Sequence, residues 1–408
     1  MKDVKDSHIV ILLYWSLKDP LCEGLILDYL KRLELANFTF HLITFEQDKY
    51  GLSIDKAALV KEDLKKLGIE WYPLDYRSGR FFLLKKLFSL LQTIILIAKI
   101  RSKRNIRLLA AMASIAGTYG FIASRILGLK FCQLTYEPHS EIVMGSGGIS
   151  STGIRFKIAH WFEMLIGRNS EIVVCTSRHM INRLQAMRAK GKLIRLPTCV
   201  NEEKNKFNEQ ERQRIRGLLN LNEKIVLIYP GKFGGMYGKE ETISFIAAFL
   251  SGQPNRHAII ITDFDLATIR KWTINFGIDP LQLTILPTVN LEEIPCYLSA
   301  ADIGLIAYSN FEARRYCSPV KTGEYLLCGL PYIVQEATSE DDEYAVLHHV
   351  GVVSKSIDAA GYENIREKLI EFLSQDKVLL RQRCRAVGME YRSSKLALKT
   401  LETIFKEA

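Results

Sequence analysis

Lys321 and Glu324 stand three positions apart in the run Ser318-Pro319-Val320-Lys321-Thr322-Gly323-Glu324. Pro319 can open a helix, because its fixed φ suits the first turn and its missing N–H is not needed there. The spacing then puts a cation and a carboxylate one turn apart on one face. A helix N-terminus attracts anions, so this pair could hold the phosphates and ribose of a nucleotide. An ordinary capped helix with a surface ion pair would show the same spacing. A second cluster, 230–239, carries Gly231, Gly234 and Gly235 with Lys232 and Lys239. Glycines let backbone N–H groups approach a phosphate, and the lysines add charge. No Gly-Lys-Ser/Thr follows, so this is not a Walker loop; a flexible strand–helix connection is the plainer alternative. A third cluster holds Glu137, His139 and Glu141, with the Gly/Ser-rich loop 145–151 just beyond. It offers two carboxylates and an imidazole beside a segment loose enough to order around a ligand. His139 could equally be a loop histidine bonded to backbone.

Strand–helix alternation positions all three. Short β-branched runs predict strands at 8–14, 38–45, 69–72, 106–111, 130–136, 171–176 and 193–196, with helices between them. The alternation restarts at 224–229 and continues through strands at 258–262, 283–286, 303–307, 332–334 and 351–353. Helices at 25–35, 54–67, 115–127, 154–165 and 177–188 separate the first set, and the chain closes with helices at 359–373, 378–391 and 394–406. Such alternation predicts parallel sheets with right-handed crossovers. Ligands bind at the carboxyl ends of such strands. The segments 137–141 and 230–239 follow strands directly. No Gly-x-Gly-x-x-Gly follows the first strand, which argues against a nicotinamide or flavin dinucleotide there. The polar run 201–216 reads as a linker leading into a surface helix. The expected division is therefore 1–200, 201–385 and a last helical segment, 386–408.

At 408 residues, 48% hydrophobic and 25% charged, the chain fits a folded protein of two domains. Residues 1–7 are polar and the apolar run after them is short, so no secretory leader is expected. No stretch of about 20 apolar residues predicts a membrane span. The eight cysteines are scattered without a Cys-x-x-Cys pair, which argues for a reducing compartment and against a zinc site. The net charge of +10 is uneven: residues 1–200 hold 30 Lys and Arg against 17 Asp and Glu. From Tyr76 to Tyr136 there are eleven basic residues and no acid. This half is built to meet something anionic. Within it, 80–107 predicts the most apolar helix of the chain, partly buried, with an exposed basic end that touches lipid headgroups. Nucleic acid is the least fitting partner, because the basic run is aliphatic rather than interleaved with stacking aromatics.

The motif Ser-Pro-x-Lys-x-x-Glu-Tyr-Leu-x-x-Gly-x-Pro-x-Ile, from Ser318 to Ile333, resembles the donor-site segment of the retaining glycosyltransferases of family 4. The resemblance covers the second half well and the first in outline. It implies the GT-B architecture: two Rossmann-like domains facing across a cleft, with the C-terminal helix crossing back to the first. It implies transfer of a sugar from a nucleotide-sugar donor to a saccharide or lipid-linked acceptor, with retention, by a hexosyltransferase of polysaccharide or glycoconjugate biosynthesis. The donor residues would be Gly231, Gly234, Gly235, Thr288, Lys321, Thr322 and Glu324, with Thr288 in the loop that receives the base. Lys232 and Lys239 would hold the diphosphate, and His139 would meet the transferred sugar. Glu137 and Glu141 would lie on the acceptor side. No cofactor and no metal are implied. The basic cluster Lys99, Arg101, Lys103, Arg104 and Arg107, in the half that would take the acceptor, predicts a cytoplasmic protein, peripheral on the inner face of the cytoplasmic membrane. Pro197-Thr198-Cys199-Val200-Asn201 is similar to the family's Pro-Asn-Gly-Val-Asp hinge, departing at Thr198, Cys199 and Asn201. Tyr316 stands where much of the family has a first Glu, eight positions before Glu324; the nearest Glu is Glu312. Two alternatives stay open: a sugar-nucleotide epimerase using Glu137, His139 and Glu141 as acid and base, and a non-catalytic nucleotide-sugar-binding membrane partner.

Overall fold

The computed structural model describes residues 7–33, 38–77 and 79–408. The expected polar start at 1–6 and the end of the first helix at Leu35 lie outside the described residues. Thirteen short, β-branched, mostly buried runs form strands: β1 (Ser7–Leu13), β2 (Phe38–Glu46), β3 (Ile69–Asp75), β4 (Ile106–Met112), β5 (Phe131–Tyr136), β6 (Ile172–Cys175), β7 (Lys192–Arg195), β8 (Ile225–Pro230), β9 (Arg256–Thr262), β10 (Leu283–Pro287), β11 (Ile303–Ile306), β12 (Tyr332–Gln335) and β13 (Gly351–Ser354). They build a seven-stranded sheet, ordered β3-β2-β1-β4-β5-β6-β7, and a six-stranded sheet, ordered β10-β9-β8-β11-β12-β13. The ladders are parallel, as between β1 and β4 or β8 and β9. Near-continuous apolar runs suit strands covered on both faces.

The chain forms two compact units. One comprises 1–140, 157–196 and 397–408; the other comprises 141–156 and 197–396. The last helix, Ser394–Glu407, sends its end into the first unit. There Phe405 packs on Phe40, with ring centroids 5.5 Å apart, and Lys130 Nζ donates to the Ala408 carbonyl at 2.8 Å. The helix before it, Lys377–Tyr391, lies in the second unit. So does Ile142, which is part of the second unit's apolar core. Gly145 sits so tightly there that an added Cβ would come 2.6 Å from the Phe311 Cβ.

Two elements differ from expectation. The segment expected as a loop through Gly24 is already helical: a wide π-type turn spans Cys22–Leu27 and an α-helix follows over Asp28–Arg32. The run 201–216 leads into a helix as expected and many of its residues face solvent, but some of its charges are buried. Its helix, Glu209–Leu218, buries Arg212 and Arg216, which pair with the buried Asp302 at 2.8 and 3.3 Å. Arg212 also donates to the carbonyls of Ser299 and Ala301, each at 2.9 Å. Glu202 is fully buried and accepts from the hydroxyls of Ser393 and Ser394 at 2.9 and 2.6 Å. Polar composition suggested a solvated segment, whereas these charges find partners inside the fold, the condition under which burial is tolerated.

Candidate active site

In the second unit, β8 ends at Pro230 and the chain turns through Gly231 to Lys239. Phe233 anchors this turn, its ring packing on Tyr229 and Trp272 with centroids 5.1 and 6.0 Å away. Tyr237 stacks on Tyr308 at 5.3 Å, and its carbonyl accepts from the Ser309 hydroxyl at 2.9 Å. Between these anchors Gly234 and Gly235 take φ of +80° and +63°, a region that costs side-chain-bearing residues energy. The turn is therefore pinned at both ends, and its glycines serve backbone geometry rather than looseness. Lys232 and Lys239 are exposed beside it.

The helix Val320–Leu327 begins at Pro319 and closes against Gly329. Its inner face, Thr322, Tyr325, Leu326 and Leu327, is fully buried. Lys321 reaches from its first turn to the β8 turn. The ammonium lies 4.5 Å from the Tyr237 ring centroid and 5.4 Å from that of Tyr229. It sits over Gly231 so closely that a Cβ there would be 2.6 Å from Nζ. Burial lowers the Lys321 pKa to about 8, against the pull of Glu324 and with help from the charge of Lys232. Burial raises the Glu324 carboxyl, and Lys321 opposes that rise. A crowded, partly desolvated ammonium is thus held at a helix N-terminus, beside a glycine turn and a carboxylate. That arrangement suits a diphosphate next to a ribose.

Thr322 points the other way. Its hydroxyl donates to Asp341 at 2.7 Å, so what it offers a ligand is its backbone N–H in the first turn. Thr288 is exposed just past β10. Tyr316 is half-buried against the core, and Glu312 is exposed in the short 3-10 turn Glu312–Tyr316. The buried cation of that turn is Arg314, which donates to the carbonyls of Phe311 and Glu336 at 3.0 and 3.1 Å.

In the first unit, β5 leads into Glu137, Pro138 and the helix His139–Gly145. Thr135, just before, has φ of +50°, a rare conformation for a β-branched residue and one that concentrates at functional sites. Glu163 organises this corner. It is buried, accepts from the Ser140 N–H at 3.0 Å and hydroxyl at 2.6 Å, and accepts from the Ser114 hydroxyl at 2.8 Å. Burial, and then the charge of Glu163, push the half-buried Glu137 carboxyl up to about 7. His139 is open to solvent by area but ringed by protein, which holds its imidazole below the usual range. Glu141, half-buried, belongs to the second unit. Glu163 was absent from the sequence-derived candidates. The available signal was its rarity: between Glu141 and Asn201 the chain has two acids, Glu163 and Glu171. Among the described residues no three His, Cys, Asp or Glu side chains gather as metal ligands.

No protein-family model matches the sequence, and no curated protein matches it. Solved structures do match over nearly the whole chain. Sucrose-phosphate synthase from Thermosynechococcus elongatus superposes with a TM-score of 0.74 at 13% identity, covering 99% of each chain. Anabaena HepE in complex with UDP and glucose gives 0.70 at 15% identity, covering 98% of this chain and 100% of its own. WaaG, a glycosyltransferase involved in lipopolysaccharide biosynthesis, gives 0.68 at 13% identity, covering 98% and 100%. The fold is GT-B. At these identities the likeness is one of fold.

Proposed function

We propose that the chain is a retaining glycosyltransferase that moves a sugar from a nucleotide-sugar donor to a saccharide or lipid-linked acceptor in polysaccharide or glycoconjugate biosynthesis. The observation that carries this reading is Lys321 held over Gly231 with Glu324 one turn along. The likeness to HepE, solved with UDP and glucose, and to WaaG, a glycosyltransferase, supports it. Glu324 accepts from the ribose hydroxyls. Lys232, Lys239 and Lys321 hold the diphosphate, and the amides of Gly231, Gly234, Gly235 and Thr322 lie along it. Charge grows on that leaving group in the transition state, where fixed cations are worth most. The loop at Thr288 receives the base through its backbone. His139 meets the transferred sugar, and Glu137 and Glu141 serve the acceptor side. The chemistry runs without a metal, so a chelator leaves the rate unchanged. The basic residues Lys99, Arg101, Lys103, Arg104 and Arg107 attach the protein to an anionic membrane face, each contributing about 1 kcal/mol. Reversing Lys99, Lys103 and Arg104 to Glu should weaken that attachment.

The deciding experiment has two arms. Uridine, guanosine and adenosine diphosphates are screened by thermal shift; a ligand at about 100 times its Kd adds about 2.7 kcal/mol. Sugar nucleotides of the base that binds are then incubated with the enzyme and candidate acceptors, and the anomeric configuration of the product is read by NMR. Binding of no nucleotide overturns the reading, and an inverted product overturns retention. Glu137, poised near neutral pH, favours one second reading, an epimerase that moves a proton on the donor sugar. Epimerised donor without acceptor would establish it.

A further inference from the structure

The helix Phe82–Arg101 is covered on one side and leaves an apolar side exposed. Among its described side chains the buried ones are Ser89, Thr93, Ile97 and Ile100. The Thr93 hydroxyl donates back to the Ser89 carbonyl at 2.8 Å. Lys86 shares this inner side: its ammonium donates to the Tyr14 hydroxyl at 2.5 Å, and the Tyr119 hydroxyl donates to its carbonyl at 2.9 Å. Facing out are Leu84, Leu87, Phe88, Leu91 and Ile95, with exposures of 65, 53, 49, 50 and 54%. These positions form one helical stripe. Phe81 and Leu83, at 75 and 70% exposed, extend it at the N-terminal end. At 1.5 Å per residue the helix runs about 30 Å.

Single exposed apolar residues are ordinary, whereas a continuous stripe marks a covering partner. The surroundings select lipid. Arg77 lies 4.2 Å over the Phe88 ring, and Arg80 and Lys85 flank the start. Lys99, Arg101, Lys103 and Arg104 crowd the exposed end, and no acid occurs from Tyr76 to Tyr136. An anionic bilayer supplies both complements at once, an apolar layer for the stripe and phosphates for the cations above it. The helix is not apolar enough to cross a membrane.

We propose that this helix lies in the plane of an anionic bilayer, with Leu84, Leu87, Phe88, Leu91 and Ile95 inserted at the acyl boundary. The inference rests on the membrane part of the proposed function and is independent of its donor chemistry. Attachment then has an apolar component beyond charge attraction. The test is co-sedimentation of the full chain with phosphatidylcholine vesicles, with and without phosphatidylglycerol, at low salt and at about 1 M salt, where screening falls to about 3 Å. The wild type should bind the phosphatidylglycerol vesicles, and a fraction should stay bound at high salt. The variant Leu84→Ser/Phe88→Ser/Leu91→Ser changes only exposed residues, and thermal melting checks that it folds. It should lose the salt-resistant fraction, with binding on the order of a hundredfold weaker. Wild-type-like binding by the variant, complete release of the wild type by salt, or no binding to either vesicle overturns the proposal. So does a wild-type dimer in sedimentation velocity that the variant abolishes without any change in vesicle binding, since the stripe would then cover a second copy. Calorimetry with uridine diphosphate in vesicle-free buffer is run alongside. Failure there removes the donor reading and leaves the vesicle result standing.

Discussion

Arg392 is ion-paired to Asp341, with both side chains closed off from solvent. The other Asp341 oxygen accepts from the Thr322 hydroxyl at 2.7 Å, and Arg392 donates on to the Ser318 hydroxyl and the Thr198 carbonyl at 2.5 and 3.2 Å. One buried pair therefore ties the chain after β7, the last helical segment and the first turn of the Val320–Leu327 helix together. Removing one partner strands a charge. Arg392→Met or Asp341→Ala should cost about 3–5 kcal/mol in denaturant unfolding. The double variant Arg392→Met/Asp341→Leu should cost clearly less than the two single losses added, because no charge is left behind. A loss under about 1 kcal/mol for either single change would contradict the burial described.

None of that pair was visible in the sequence, where 51 positions separate its members and neither sits in a motif. The same holds for Glu163, a mid-helix acid whose partners come from β4's exit and from Ser140. What the sequence did disclose is local. Pro319 and Gly329 punctuate one helix, glycines punctuate the β8 turn, and apolar runs of four to nine residues mark the strands. Parallel order follows from alternation, because each crossover needs a helix. Composition also showed the Phe82–Arg101 helix to be apolar and basic, but not which side is buried. Ser89 and Thr93 are buried together with Ile97 and Ile100, while Leu84, Leu87, Phe88, Leu91 and Ile95 are exposed. The run 201–216 shows the same gap: charge alone does not say whether a partner waits inside.

Gly231→Ala separates a glycine needed for space from one needed for backbone shape. Gly231 is not among the glycines with positive φ, so alanine can adopt its conformation. The new methyl would meet the Lys321 ammonium at 2.6 Å and push it off the turn. Nucleoside diphosphate affinity should fall about tenfold, while stability stays within about 0.5 kcal/mol. Unchanged affinity in calorimetry would remove Lys321 from the diphosphate.

Glu324→Ala should weaken donor binding by about 1.5–3 kcal/mol, the worth of hydrogen bonds to a charged acceptor, and leave the melting temperature near that of the wild type. Lys232→Ala and Lys239→Ala should instead lower kcat more than they raise the donor KM, if their contact strengthens as charge develops. Full turnover in both lysine variants would take them out of the mechanism.

Lys321 gives the site a pH signature. Free of ligand it titrates near 8, because burial disfavours its charge. A diphosphate against the ammonium favours the charged form and moves its pKa back toward or beyond the ordinary 10.5. Between those two values the free protein has lost the proton and the complex has regained it. Binding should therefore take up close to one proton in that window and almost none about two units below pH 8. Affinity falls as pH rises through the same range, because the uptake has to be met from a scarcer proton supply. Calorimetry in buffers of different ionisation enthalpy reads the proton count directly. Lys321→Arg is the control: a guanidinium stays charged at all these pH values, so the uptake should vanish while binding at neutral pH survives in part. Equal uptake in the arginine variant would assign the proton to another group and leave Lys321 charged throughout.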